Sequence, residues 1–168
     1  NDCYEDRHCA VCPPEAVEAV LLLNFTIDGV PFIYNGMEIG DATRHSIYGN
    51  RFYGKDMVIN WSKALTEAGM DRMQYMSDLI ELRRGIPALT ESPVKWLEND
   101  CPEQVISFSR DNVVVAINFG KEPLTVTVKT DAQLPMPLLH CQYGSDFKFT
   151  ESDLKLNLLP YGYAVIEY

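Results

Sequence analysis

The sequence predicts an α+β fold in which a helical segment up to about residue 90 is followed by an antiparallel β-sandwich. Two observations predict it. Apolar residues recur at helical spacing or in continuous runs before residue 90, and after about residue 92 they alternate with polar ones in short stretches broken by turn residues. A third sets the class: of 168 residues, 46% are hydrophobic and 23% charged, the balance of an ordinary globular chain rather than a disordered one.

The first helix opens at Pro13-Pro14-Glu15, where proline suits the first turn and a carboxylate suits the positive end of the helix dipole. It continues from Ala16 to Phe25, apolar on nearly every face, and so expects burial on most sides. Asp28-Gly29 makes a turn. Val30-Pro31-Phe32-Ile33-Tyr34 then reads as a short apolar strand ending at Asn35-Gly36, the pattern of one unit of a parallel α/β layer. From Glu38 to Asp56 the chain is polar and glycine-rich, a loop long enough to suggest a functional role. A second helix runs from about Gly69 to Arg84, with Arg83 and Arg84 in its last turn, Gly85 after it and Pro87 beyond.

The second half reads as a meander. Val105 to Arg110 and Val113 to Phe119 form a hairpin around Asp111-Asn112, residues that tolerate positive φ. Leu124, Val126 and Val128 alternate with Thr125 and Thr127, so the first set should face inward. Further strands are expected at Leu138 to Tyr143, Leu154 to Leu158 and Tyr163 to Tyr168, the last two separated by a turn at Pro160-Tyr161-Gly162. Strands at this spacing suggest a small sandwich.

Charge and motifs exclude several functions. Twenty-four acidic against 14 basic side chains give a net charge of −10, which argues against a nucleic-acid partner. The longest apolar run, Ala19 to Phe25, is too short to cross a bilayer, so no membrane span is expected. The amino-terminal residues carry no basic region followed by an apolar stretch, so no signal peptide is read in them. Five cysteines are too few and too uneven for a disulfide scaffold; a reducing compartment, or indifference to redox state, is the plainer reading. Cys3, His8, Cys9 and Cys12 include a C-x-x-C pair, but no second pair follows to close a tetrahedral zinc site, so neither a metal nor a cofactor is expected. No nucleophile elbow, H-E-x-x-H or phosphate-binding glycine loop is present. Motif chemistry therefore names no complete active site.

The stretch Gly29-Val30-Pro31-Phe32-Ile33-Tyr34-Asn35-Gly36-Met37-Glu38-Ile39-Gly40-Asp41 closely resembles the eighth barrel strand and following loop of the α-amylase family, glycoside hydrolase family thirteen, with its G-x-P-x-x-Y-x-G-x-E segment. Ala16 to Thr26 looks like the helix before that strand, and Ile59-Asn60-Trp61 like the short element before the last barrel helix. Leu79 to Leu89 is similar to the family's L-x-x-L-R-R-x-x-P-A-L ending. Val113 to Gly120 and Leu159-Pro160-Tyr161-Gly162 resemble strands of the C-terminal β-sandwich.

The resemblance implies a helical remnant of the last βα units of a (β/α)8 barrel over residues 1–90 and a C-terminal antiparallel β-sandwich over 91–168. A whole barrel needs about 250 residues. Family catalysis uses a carboxylate nucleophile and a carboxylic acid in a retaining mechanism. These come from earlier strands, with a further aspartate in an N-H-D motif that this chain lacks; Asn1-Asp2 has no histidine between its members. The chain is thus expected to be a catalytically incomplete fragment of an α-glucan-acting hydrolase, with α-glucan or maltooligosaccharide as the parent's substrate and no catalytic residue of its own. The resemblance offers Asp41 and Arg44 as sugar-contacting residues, with His45 nearby, although the usual D-P-x-x-R spacing is not matched; pairing of Asp41 and Arg44 with each other or with the loop backbone is the other reading. Glu38 is read as holding the loop; Trp61 and Trp96 could stack on sugars, but a lone tryptophan near a helix or strand is more often a core residue.

The alternative is a stand-alone carbohydrate-binding or interaction module. The all-round apolar helix speaks against it, since an independent sandwich does not normally carry one. That helix, together with a strand lacking its neighbours, leads to an expectation of self-association.

Overall fold

A computed structural model describes residues 8–43, 58–130, 138–150 and 153–168. Among these, four helices and six strands follow in order: α1 (His8–Val11), α2 (Pro14–Thr26), α3 (Glu67–Gly85), α4 (Ala88–Glu91), β1 (Lys95–Trp96), β2 (Val105–Arg110), β3 (Val113–Asn118), β4 (Leu124–Lys129), β5 (Leu138–Phe149) and β6 (Asp153–Glu167).

Helix α2 starts where the prolines and Glu15 place it, and Ala16, Val17, Ala19, Leu21, Leu22 and Phe25 are buried. Val20 faces outward, so the burial is broad but not complete. Helix α3 begins two residues before the expected start because Thr66 caps it, its Oγ1 accepting a hydrogen bond from Gly69 N at 3.1 Å. Pro87 opens the short helix α4, for which the sequence carries no periodic signal.

The strands form one connected antiparallel sheet, ordered β1-β2-β3-β6-β4, with β5 running along the other edge of β6. The Asp111-Asn112 hairpin is formed as read: Arg110 pairs with Val113, and Asp111 adopts φ 51°. Strand β3 is buried at all six positions, which explains its uninterrupted Val-Val-Val-Ala-Ile run. One of its faces, with Val113, Val115 and Ile117, joins Phe108, Tyr163 and Val165 against α2 and α3. The other face, with Val114 and Ala116, joins Val126, Val128, Leu154, Leu156 and Leu158 in the sandwich interior. Val126 and Val128 are sealed and Leu124 packs beside them, while Thr125 is exposed and Thr127 half-buried, so the inward set is the one expected.

The expected turn at Pro160-Tyr161-Gly162 is not a turn between two strands. Strand β6 runs through it and changes partner: residues 154–158 pair with β4, and residues 163–167 pair with β3. Strand β5 follows both halves, with a register shift between Tyr143 and Ser145 opposite the bend. The β3 and β4 parts of the single sheet are thereby joined by one strand that changes partner. Glycine permits it. A Cβ on Gly162 would lie 2.5 Å from Gly144 O, and Gly144 itself sits at φ +50° with Leu159 against it.

The expected strand over residues 30–34 is also not formed: the structure assigns no strand there. The segment follows α2 without sheet hydrogen bonds, and Val30 and Phe32 are 93% and 74% exposed. Apolar β-formers specify extended backbone only where a neighbouring strand exists to pair with them.

Two arginines fasten the end of α2 and the turn after it to the rest. Arg110, almost wholly buried on β2, donates from Nη1 to Leu89 O at 2.6 Å and to Thr26 O and Ile27 O at 3.2 Å each. Its Nε and Nη2 donate to Ser92 O. Arg83 donates to Phe25 O, Ile27 O and Gly29 O. By sequence Arg83 serves the dipole of its own helix; in the fold it satisfies the orphan carbonyls at the end of α2. Asp28 completes the clasp, with Oδ1 3.4 Å from Arg110 Nη2 and both oxygens accepting from Val94 N. Burial first, and then the neighbouring Arg110, lower the Arg83 pKa from its usual value.

Candidate functional site

The loop that follows residues 30–34 starts with a tight turn. Gly36 and Gly40 both take left-handed backbone around a single 3-10 turn, Met37–Ile39. Asp41 N donates back to Gly36 O at 2.8 Å, and this bond folds the loop onto itself.

Asp41 is sealed from solvent, with 0% exposure. Its Oδ1 accepts from Thr43 Oγ1 at 2.9 Å and lies 3.9 Å from Lys63 Nζ. Lys63 stands on a second 3-10 segment, Trp61–Leu65, whose start is capped by Asn60 Oδ1 accepting from Ser62 N. A buried carboxylate requires such partners. The Asn60-Trp61 pair therefore marks the element that supplies the cation. Sequence reasoning does not single out Lys63, because a lysine in a short polar stretch ahead of α3 carries no pattern of its own. Only the fold brings it to Asp41.

Arg44 and His45, the other two expected site residues, lie outside the described residues, as does the rest of the loop to residue 57. Glu38 keeps one oxygen, Oε2, buried without a hydrogen-bond partner among the described residues. Trp61 is 48% exposed and Trp96 62%, so neither is the core residue expected; Trp96 lies edge-on to Phe108 with ring centroids 5.7 Å apart.

Behind this loop lies a cavity of about 470 Å³ between α1, the start of α2 and the first turns of α3. Ile39 and Gly40 form one wall, Lys63 and Arg72 another, and Cys9 and Cys12 also line it. Arg72 is 9% exposed, and its Nε and Nη1 have no hydrogen-bond partner among the described residues. Burial raises the Glu18 carboxyl above its usual value, while Arg72 pulls it back down. No group of three His, Cys, Asp or Glu side chains among the described residues is placed to share a metal ion.

No family model matches the chain. Over 131 residues it is 29% identical to the α-amylase MalA of Haloarcula japonica, a match covering 73% of this chain and 18% of that protein. Its fold is similar to that of a debranching enzyme from Nostoc punctiforme, with a TM-score of 0.73 and 20% identity over 97% of this chain and 33% of the other. It is also similar to a cyclomaltodextrinase, with a TM-score of 0.66 and 19% identity over 99% of this chain and 28% of the other.

The chain is thus similar in sequence to part of an α-amylase, and in fold to part of a debranching enzyme and of a cyclomaltodextrinase. It spans less than a fifth of the curated relative and about a third of these solved structures. At such identities the structural likeness is one of fold, and it covers the helical segment and the sandwich together. Residues 30–34, which form no strand, stand where the sequence resemblance places the eighth barrel strand. No helix among the described residues is long and apolar enough to cross a membrane.

Proposed function

We propose that this chain is the end of the catalytic barrel and the C-terminal β-sandwich of a retaining α-glucan hydrolase, with residues 1–90 forming the barrel part and residues 91–168 the sandwich. The observation that carries this reading is the match of nearly the whole chain to glycosidase structures in a single superposition. The exposed apolar side chains Val30, Phe32 and Ile33 support it, because a barrel would supply strands on both sides. The parent's substrate is an α-glucan or maltooligosaccharide.

Within that reading the loop after Gly40 borders the sugar cleft, and Asp41, Arg44 and His45 are its proposed substrate-binding group. The burial of Asp41 beside Thr43 and Lys63 supports a contribution that fixes the start of the loop. Arg44 and His45 would then carry the direct contacts. We further propose that the isolated chain self-associates, covering Val30 and Phe32 with a second copy.

The chain alone supplies no nucleophile and acid pair, so it should release no sugar from starch, maltooligosaccharides or an aryl α-glucoside. The measurement is reducing-sugar release by the purified chain. Turnover that disappears when a carboxylate of this chain is replaced would overturn the fragment reading. So would an upstream gene sequence that encodes no barrel strands.

A further inference from the structure

The C-x-x-C pair that the proposed function leaves unused is brought by the fold to one cavity wall. Cys9 lies on α1 and Cys12 follows directly after it, and both line the cavity bounded by the first turns of α3. Both are free thiols. They are not equivalent: Cys9 is half-buried and packs against the helix–sheet core, whereas Cys12 is exposed.

Helical geometry places Cα atoms three residues apart at about 5 Å. That falls within the span of about 4.4–6.8 Å that disulfides require. Cys101, the third free thiol among the described residues, lies far along the chain in the turn before β2, with its Sγ 3.9 Å from Thr125 O.

We propose that Cys9 and Cys12 form a reversible dithiol–disulfide couple that exchanges with a low-molecular-weight disulfide. The exposed Cys12 thiolate attacks one sulfur of that disulfide, forming a mixed disulfide and releasing one thiolate. The Cys9 thiolate then attacks the Cys12 sulfur, closing the Cys9–Cys12 bond and releasing the second thiolate. The two cysteines lose two electrons and two protons, and the small disulfide gains both as two thiols. The difference in exposure assigns the order, since the accessible sulfur meets the reagent first and the packed one can only resolve it. Closure would pin α1 to the entry of α2 at Pro14, on the same cavity that Gly40 lines ahead of Asp41.

The test is incubation of the whole chain with oxidised glutathione, followed by intact mass and peptide mapping under non-reducing conditions. The expected product has lost two hydrogen atoms and yields a peptide with Cys9 joined to Cys12. Cys9→Ser should stop at a glutathione adduct on Cys12, and Cys12→Ser should leave Cys9 largely unmodified. A chain carrying Cys3→Ser, Cys101→Ser and Cys141→Ser should close as the parent does. A lasting glutathione adduct in the unaltered chain, or pairing of either cysteine with Cys3, Cys101 or Cys141, would overturn the proposal. Mapping the unaltered chain decides between these outcomes even if a variant folds poorly.

Discussion

At the scale of single residues, Arg110 gathers long-range polar contacts from the ends of two helices. Its guanidinium serves carbonyls at Thr26, Ile27, Leu89 and Ser92, so one side chain ties the hairpin to the ends of α2 and α4. Replacing it leaves buried acceptors without donors, and that loss outweighs any gain from a more apolar side chain. Arg110→Met should cost about 3–5 kcal/mol in urea denaturation. Arg110→Lys should recover part of this, because an ammonium can reach one or two of the carbonyls but not all four. Equal stability of Arg110→Met and the parent would show that the clasp is incidental. The sequence contains Arg110 at the end of an apolar strand, next to the turn, where an arginine ordinarily reads as solvent-facing. Its burial was not legible, because the carbonyls that need it lie up to 84 positions away in the chain.

At the scale of elements, the start of α3 sets two effects against each other. Gly69 lies in the first turns of a long helix, where alanine is normally favoured by about 1 kcal/mol. Here a Cβ would fall 1.9 Å from Lys63 O, a backbone atom that also accepts hydrogen bonds from Thr66 N and Oγ1. The clash wins. Gly69→Ala should destabilise the chain by about 1–3 kcal/mol and loosen the turn that presents Lys63 to Asp41. Thr66→Ala, which removes the cap without a clash, should cost about 1 kcal/mol. Urea melts followed by far-ultraviolet circular dichroism measure both, and a more stable Gly69→Ala variant would show that the Lys63 carbonyl yields freely. The boundaries of α3 were nearly legible, because Thr66 and the Arg83-Arg84-Gly85 stop signal act locally. The single bent strand β6 was not legible: Pro160-Tyr161-Gly162 is chemically a turn, and whether such residues reverse a strand or redirect it depends on which neighbours wait on either side.

At the scale of the whole molecule, one polar contact closes the end of the sheet. Glu167 on β6 accepts from Asn112 Nδ2 at 3.0 Å and lies 2.6 Å from His140 Nε2 on β5. The His140 hydrogen bond is the main cause that holds the Glu167 carboxyl below its usual value, with Asn112 adding to it. A carboxylate depressed in the folded state contributes stability that is fully present above its unfolded value and is lost as pH falls through the folded one. Stability should therefore decline below about pH 4.5, the ordinary glutamate value, and Glu167→Gln should flatten that decline. Chemical denaturation at a series of pH values checks it; parallel curves for the two proteins would remove Glu167 from the account. Self-association belongs to this scale as well. Light scattering at micromolar concentration should report a species larger than one chain, and Phe32→Ser together with Val30→Ser should shift it toward the monomer. A monomeric parent chain would show that the exposed segment does not drive pairing.

Local chemistry determined much of this protein. The prolines that open α2, the stop signals after α3, the Asp111-Asn112 hairpin and the inward set of Val126 and Val128 are each specified within a few residues, by capping, φ preference or alternation, and each is where the sequence places it. Tertiary structure decided the features that need a distant partner. Residues 30–34 are strand-forming but have no strand beside them among the described residues, Asp41 is buried where Lys63 and Thr43 meet it, and β6 bends rather than turns because β3 and β4 lie end to end along one edge. The physical reason is the same in each case: backbone conformation is a local preference, but a hydrogen bond or an ion pair is satisfied only when a second group arrives, and what arrives is set by the fold.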